Sequence, residues 1–345
     1  MTLRIAIAGT GYIAAIHARA VLNQPDAALA AVVTTQPDGA ERFRRDFSIP
    51  SAYSRVEDLV NSETVDALII CTPNALHARQ AITALRAGLH VMVEKPMAVN
   101  AAEALQMHNA SRETGRLLMV AHCWRFDSEV LWLKEQVQSG KLGEIVRTKG
   151  CGVHTLWGPS GWFTSRALAG GGALADMGIH AIDTARFLLD DPLPAQVYAK
   201  MGSYYLPRSQ PEEDMVEDTC MMMIQWDNGA TSYIESGWWQ PHADGPEAAT
   251  QLYGTCGFGS IFPTRLGISH LEEQKLEWVD PGFPFPRPEH SPQEMYDRQM
   301  AYFLQCIGQG QTPNPGGLEG LTNMRITDAA YESSRTGRAV NLQQT

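Results

Sequence analysis

The chain predicts a two-domain α/β protein, a doubly wound parallel sheet followed by a second domain rich in antiparallel strands. Three observations carry this. At 345 residues, and with roughly 100 to 200 residues per domain, the length suits two separate cores. Apolar runs of strand length alternate with helical spacing from Leu3 to His122. Beyond residue 122 the texture changes to short strand-like runs, two of them joined by the turn Asp227-Asn228-Gly229. The expected domains are therefore 1–122 and 123–345, with a return of the last helix to the first domain as an alternative.

The first domain opens with the run Leu3 to Ala8, then Gly9-Thr10-Gly11-Tyr12-Ile13-Ala14, then a helical pattern through Leu22. Strand, glycine turn and helix in that order form a Gly-x-Gly-x-x-Ala dinucleotide fingerprint. Gly9 permits the tight turn, Gly11 lets backbone approach a pyrophosphate, and Ala14 allows close packing of helix on strand. The unpaired N–H groups at the helix start supply an anion site. Gly9, Gly11, Tyr12 and Ile13 are the candidate cofactor contacts here. The second strand, Ala28 to Val33, ends at Thr34-Thr35. An acid at Thr34 would hold a ribose 2′-hydroxyl, so its absence, with Arg42, Arg44 and Arg45 nearby, leans slightly to NADP over NAD.

A helix near Val56 to Asn61 precedes the strand Val65 to Cys71, which closes in Thr72-Pro73-Asn74. Asn74 and His77 either cap the next helix or join Thr72 in touching the cofactor. The strand Leu89 to Val93 closes in Glu94-Lys95-Pro96. Pro96 disfavours the helical region for Lys95 and holds it extended at a strand end, where ligands of parallel sheets bind. Leu117 to His122 completes the series.

In the second domain we expect a helix over Val130 to Ser139, strands from Ile145, Val197, Asp218, Ala230 and Ala249, an irregular Pro/Phe-rich loop over Pro281 to Pro288, and helices over Met295 to Ile307 and Asn323 to Thr336. The stretch from Gly170-Gly171-Gly172 to Asp183 stands out. As an α-helix it places Asp176, His180 and Asp183 in one polar stripe opposite Leu174, Met177, Ala181, Ala185 and Leu188. Trp157, Trp162 and Phe163 precede it and are candidate apolar walls for a ligand. Arg125 and Arg166 are candidates for meeting an anionic substrate group, or for surface pairing. Trp238-Trp239 is expected to pack in a sheet or an interface.

Bulk properties exclude several classes. A net charge of −11 with no basic stripe argues against nucleic acid and anionic membranes. No apolar run approaches the ~20 residues of a membrane span, and the amino terminus lacks a leader pattern. The six cysteines are scattered without metal-ligand spacing, so no metal site is expected and reduced thiols in the cytoplasm explain them.

With Gly9 to Ala14, Glu94-Lys95-Pro96 and Gly170-Gly171-Gly172-x-x-x-Asp176-x-Gly178-x-His180-x-x-Asp183 in this order, the chain resembles the glucose-fructose oxidoreductase / inositol dehydrogenase (Gfo/Idh/MocA) family. Arg125-Phe126, Gly254-Thr255-x-Gly257 and the segment Asp328 to Arg338 add to the likeness, which runs nearly end to end. The resemblance implies an amino-terminal Rossmann domain and a carboxy-terminal α+β domain whose large, mostly antiparallel open sheet serves homodimers or homotetramers. It implies NAD(P)-dependent oxidation or reduction of a sugar, polyol or related compound, with catalysis by Lys95, Asp176 and His180. Lys95, Arg125, Trp162, Asp176 and His180 are the expected substrate contacts; Thr34, Thr35, Thr72, Asn74, His77, Glu94 and Lys95 join the glycine turn around the cofactor. Ala14 and Thr34 depart from the commonest family pattern.

The chemistry suits these residues. A secondary alcohol that gives up hydride must also lose its hydroxyl proton; an imidazole, with an ordinary pKa of about 6.5, takes it near neutrality, and an ammonium stabilises the developing alkoxide. An NAD-dependent glycosidase of the same architecture and a non-catalytic nucleotide-binding protein are the competing classes.

Overall fold

The computed structural model describes residues 2–62, 64–205, 215–242, 247–284, 286–289 and 291–342. In chain order the first elements are β1 (Leu3–Ala8), α1 (Tyr12–Leu22), β2 (Ala27–Val33), α2 (Pro37–Phe47), β3 (Ser51–Tyr53), α3 (Val56–Ser62), β4 (Ala67–Ile70), α4 (His77–Arg86), β5 (His90–Glu94), α5 (Ala101–Thr114) and β6 (Leu118–Ala121). Then come α6 (Ser128–Gln138), β7 (Ile145–Thr155), the short α7 (Arg166–Ala169), a π turn over Leu174–Gly178, α8 (Ile179–Leu188), β8 (Pro194–Gly202), β9 (Thr219–Trp226) and β10 (Thr231–Gln240). The last are β11 (Ala248–Gly254), β12 (Gly257–Ile261), β13 (Arg265–His270), β14 (Lys275–Val279), α9 (Gln293–Gln309), α10 (Gly317–Thr336) and β15 (Val340–Asn341).

The chain forms two units, Met1–Cys123 with Ser291–Met324, and Trp124–His290 with Arg325–Thr345. Segment Ser291–Met324, expected in the second domain, groups with the first. Its apolar side chains explain why: Met295, Met300 and Phe303 are fully buried, Gln293 donates to the Ile16 carbonyl of α1 at 3.2 Å, and Asn23 donates to Asp297 at 2.9 Å. Leu321 and Met324 of α10 join the core of the first unit with Ile70, Val93 and Val120.

The first unit holds a six-stranded parallel sheet in the order β3-β2-β1-β4-β5-β6. All four residues of β4, and Ile5 to Ala8 of β1, have essentially no exposure, the near-continuous apolar run of a strand covered on both faces. The order reverses between β1 and β4. In doubly wound sheets, ligands bind beyond the carboxyl ends at that reversal.

The second unit holds nine strands in the order β14-β13-β12-β11-β7-β10-β9-β8-β15. Neighbours are antiparallel except β7 and β10, the mostly antiparallel sheet that was expected. Strand β9 alternates strictly: Cys220, Met222 and Ile224 face inward, Met221 and Met223 outward. The inward face packs on Ala181, Ile182 and Ala185 of α8, which fixes that helix against the sheet. Asp227 to Gly229 joins β9 to β10, with Gly229 at φ +87°. The described residues of loop 281–288 are irregular; Phe285 lies outside the described residues. Strands β12 to β15 were not foreseen from sequence.

Candidate active site

In the first unit, β1 ends on Gly9 at φ +110°, and a Cβ there would lie 2.5 Å from the Cys71 carbonyl oxygen. Only glycine lets the turn cross the end of β4 so closely. Gly11, at the start of α1, differs: a Cβ there meets nothing within 4 Å. Its backbone borders open space, and α1 has no side-chain cap for its first N–H groups. Ala14 is fully buried. A free helix start beside an open glycine is the donor set an anionic pyrophosphate requires, so these residues fit a dinucleotide. Tyr12 is 81% exposed.

Past β2, Thr34 accepts from the Gln36 N–H at 3.3 Å. Arg44 is turned away on its own loop, donating to the carbonyls of Ile49 and Pro50 at 3.1 and 2.8 Å. Arg42 and Arg45 remain exposed on α2.

Two expected cofactor contacts are buried and committed to protein. The His77 ring sits between the Thr72 carbonyl at 2.8 Å and the Pro96 carbonyl at 3.0 Å, and burial holds its pKa below the usual histidine range. It ties the turn after β4 to the turn after β5. Glu94 Oε1 lies 2.6 Å from Nε2 of the fully buried His17 on α1, and Glu94 Oε2 accepts from the Lys95 N–H at 3.2 Å. Both side chains therefore tie together elements at the carboxyl end of the sheet. Asn74 is 5% exposed, and the Thr72 hydroxyl donates to Gln80 at 2.7 Å. Lys95, half-buried, follows β5 at the carboxyl end of the sheet.

In the second unit, the segment carrying Asp176 and His180 is not one α-helix. Leu174–Gly178 forms a π turn, and α8 begins at Ile179. The wider turn interrupts the expected i, i+4, i+7 stripe, and π turns recur at functional positions. Small residues make room for it: a Cβ at Gly152 would lie 2.7 Å from the Met177 carbonyl, and one at Gly178 would lie 2.9 Å from Ser236 Oγ. The helix is also buried all round, His180 and Asp183 included.

Asp183 is not part of a polar cleft face. It makes a two-pronged pair with Arg125, 2.8 Å on each arm, and Arg125 reaches Asp191 at 2.7 and 3.0 Å. Burial alone would lower the Arg125 pKa, but the two carboxylates outweigh it and raise it. Arg125, expected to meet substrate, is 2% exposed and holds α8 instead. Arg166 donates to the Met215 carbonyl at 2.6 Å.

His180 stacks on Trp124, centroids 4.6 Å apart and planes at 20°, and Phe262 meets Trp124 edge-on at 5.7 Å. Asp176 Oδ2 accepts from Trp238 Nε1 at 3.1 Å and lies 3.7 Å from His154 Nε2. On its other side His154 Nδ1 lies 3.2 Å from Glu247 Oε2, with Trp157 stacked on its ring at 3.7 Å. Glu247 also accepts from the Trp157 indole at 2.6 Å and the Thr155 N–H at 2.8 Å. Partial burial alone would raise the Glu247 pKa, but these donors outweigh it and hold the carboxyl below its usual range. Trp162 stacks on Phe163 at 3.9 Å.

Asp176 and His180 thus lie on consecutive elements of the second unit, the π turn and α8, whereas Lys95 belongs to the first unit. Sequence reasoning missed His154, Glu247 and Trp124. His154 lies on β7 and Glu247 beside β11, 93 residues apart, and no local spacing links them. Trp124, next to the expected Arg125, was within reach as an aromatic entering the second unit.

Residues 3–122 match the family described as "Oxidoreductase family, NAD-binding Rossmann fold", and residues 130–258 match "GFO/IDH/MocA C-terminal domain". D-glucoside 3-dehydrogenase of Escherichia coli K12 is 26% identical, across 99% of this chain and 97% of its own length. D-xylose 1-dehydrogenase (NADP(+)) 2 of Haloferax volcanii is 31% identical, across 91% of each. The crystal structure of aldose-aldose oxidoreductase from Caulobacter crescentus complexed with glycerol superposes with a TM-score of 0.84 at 27% identity, covering 99% of this chain and all of that one.

Proposed function

The chain belongs to the GFO/IDH/MocA oxidoreductase family, and on that premise we propose that it transfers a hydride between a nicotinamide cofactor and a secondary alcohol of a sugar or polyol. The observation that carries this is the pairing, on one π-to-α segment, of a carboxylate held by an indole with an imidazole held by a stacked ring. Bound nicotinamide supplies the two-electron chemistry.

This chain's residues supply the rest. His180 takes the hydroxyl proton as the carbon–oxygen bond gains double-bond character; stacking on Trp124 limits rotation of its ring. Lys95 polarises the same oxygen and stabilises the charge that develops there. Asp176, its Oδ2 already engaged by Trp238 and faced by His154, orients the substrate through a neighbouring hydroxyl. Trp157 and Trp162 provide apolar faces against sugar C–H groups.

Gly9, Gly11, Tyr12, Ile13, Thr34, Thr35, Thr72 and Asn74 border the cofactor, with His77 and Glu94 acting from behind. The preference leans to NADP: β2 ends without a carboxylate to repel a 2′-phosphate, and Arg42 and Arg45 are the basic groups left exposed on α2.

The outward face of the nine-stranded sheet supports a homodimer or homotetramer. Arg147, Tyr253, Phe258 and Trp278 lie in one cross-strand row, with Arg147 over the Tyr253 ring at 3.6 Å, and Tyr198, Met221 and Met223 add exposed apolar surface. All six cysteines are unbridged thiols, which fits a reducing cytoplasm, and among the described residues no helix is long and apolar enough to cross a membrane.

The test is a titration with NADH and NADPH followed by a screen of sugars and polyols for nicotinamide reduction. Net reduced cofactor together with oxidised sugar supports the reading. Glycoside cleavage without net reduction makes the chain a glycosidase, and tight cofactor binding with no turnover removes the catalytic assignment.

A further inference from the structure

The glycine run ahead of the π turn has its cause in a residue distant in sequence. The Gly172 N–H donates to both carboxylate oxygens of Glu217 at 3.0 Å, and the Leu174 N–H donates to Glu217 Oε1 at 3.0 Å. Between them, the Ala173 N–H donates to the backbone carbonyl of Glu217 at 2.9 Å. Glu217 is 6% exposed, and Tyr331 of α10 donates to its Oε1 at 2.9 Å.

One residue therefore takes three consecutive amides that a helix normally offers to a local cap, and this segment has no side-chain cap of its own. The glycines are its counterpart. A Cβ at Gly172 would lie 1.8 Å from the Glu217 carbonyl oxygen, and one at Gly171 would lie 1.9 Å from Tyr331 Oη.

The clamped residues carry the functional ones. Gly172 offers its carbonyl to the Asp176 N–H at 3.0 Å, and Leu174 offers its carbonyl to the N–H of Ile179, the residue before His180. We propose that Glu217 is a positioning residue for the Asp176–His180 pair, acting through Gly172 and Leu174 and seated by Tyr331. The proposal rests on the hydride-transfer reading above. Glu217 touches neither substrate nor cofactor; it sets the depth and rotation of the segment from which both working side chains project.

Three variants test it. Glu217→Gln keeps one acceptor oxygen for the amides and loses the other, Glu217→Ala removes both, and Tyr331→Phe removes only the hydroxyl. An ångström of misplacement can cost about 10²-fold in rate, so kcat should fall in the order Tyr331→Phe, Glu217→Gln, Glu217→Ala, reaching about 10²-fold in the last. Substrate KM and cofactor Kd should stay within about threefold.

An activity-free readout is the His180 ring proton resonance, which the Trp124 ring displaces. It should move toward the unstacked value in Glu217→Gln. Unchanged kcat and an unmoved resonance in Glu217→Gln, with only the melting temperature lowered, would overturn the proposal. If the wild type transfers hydride to no polyol, the reaction reading fails, and the resonance still decides the positioning role.

Discussion

Two glycine-led helices, one in each unit, use glycine for opposite reasons. Before α1, Gly9 clears the neighbouring strand and Gly11 leaves its backbone against open space. Before α8, Gly171 and Gly172 are pressed against Tyr331 and Glu217, and the helix start is filled by protein. The first start leaves its amides without a side-chain cap; the second gives its amides to Glu217, two of them to the buried carboxylate. A glycine run before a helix therefore signals an anion site only when nothing else in the chain occupies the amides.

The sharpest way to break this contrast is to add one methyl group to each run. Gly172→Ala drives a Cβ into backbone that cannot yield, so we expect the second unit to lose more than about 4 kcal/mol or fail to fold, read by chemical denaturation. A folded, fully active Gly172→Ala protein would show the glycine run to be incidental. Next in size, His180→Ala should lower kcat by about 10²- to 10⁴-fold with cofactor Kd retained, since the imidazole belongs to the second unit and the dinucleotide fingerprint to the first. Unchanged turnover on the same substrates would remove His180 from the chemistry.

Gly11→Ala should leave the melting temperature unchanged, because its φ of −80° suits alanine and the added carbon meets no protein atom, yet weaken NAD(P)H binding about tenfold by crowding the phosphate cradle. Isothermal titration checks this, and unchanged affinity would move the cofactor's phosphates elsewhere.

The smallest effect concerns the acid range. Burial alone would raise the Asp191 pKa, but Arg125 outweighs it and lowers it. A carboxylate with a lowered folded pKa contributes stability that is complete above its unfolded value of about 4 and is lost as pH falls through the folded one. The stability advantage of wild type over Asp191→Asn should therefore be full near neutrality and shrink on acidification below about pH 4, measured by melting curves across pH. A constant difference would mean Asp191 titrates alike in both states.

The first unit was the more legible of the two. Its strands are continuous apolar runs and its glycine turn lies between adjacent elements, so local pattern and fold agree. The second unit was read less completely. The alternation in β9 and the turn at Gly229 were visible, but the parallel pairing of β7 with β10 and the strands β12 to β14 depend on which edges meet. At the candidate site the polar stripe was read as a regular helix because what Gly178 must clear, Ser236, and the glycine that clears Met177, Gly152, both lie far from it in sequence. Arg125 looked like a candidate substrate contact until it proved to be the partner of Asp183.

Sequence by itself determined the alternating β/α architecture of the first unit and the glycine fingerprint, both of which depend on neighbours a few residues apart, and it singled out Lys95, Asp176 and His180 as candidates. Tertiary structure alone decided what each side chain faces: Glu217 beneath the glycine run, His154 beside Asp176, Trp124 under His180, Asp183 on Arg125. The reason is physical. Local periodicity sets which face a residue presents, but contacts such as Gly172 with Glu217, 45 residues apart, and Arg125 with Asp183, 58 apart, exist only after the sheet has chosen its strand order.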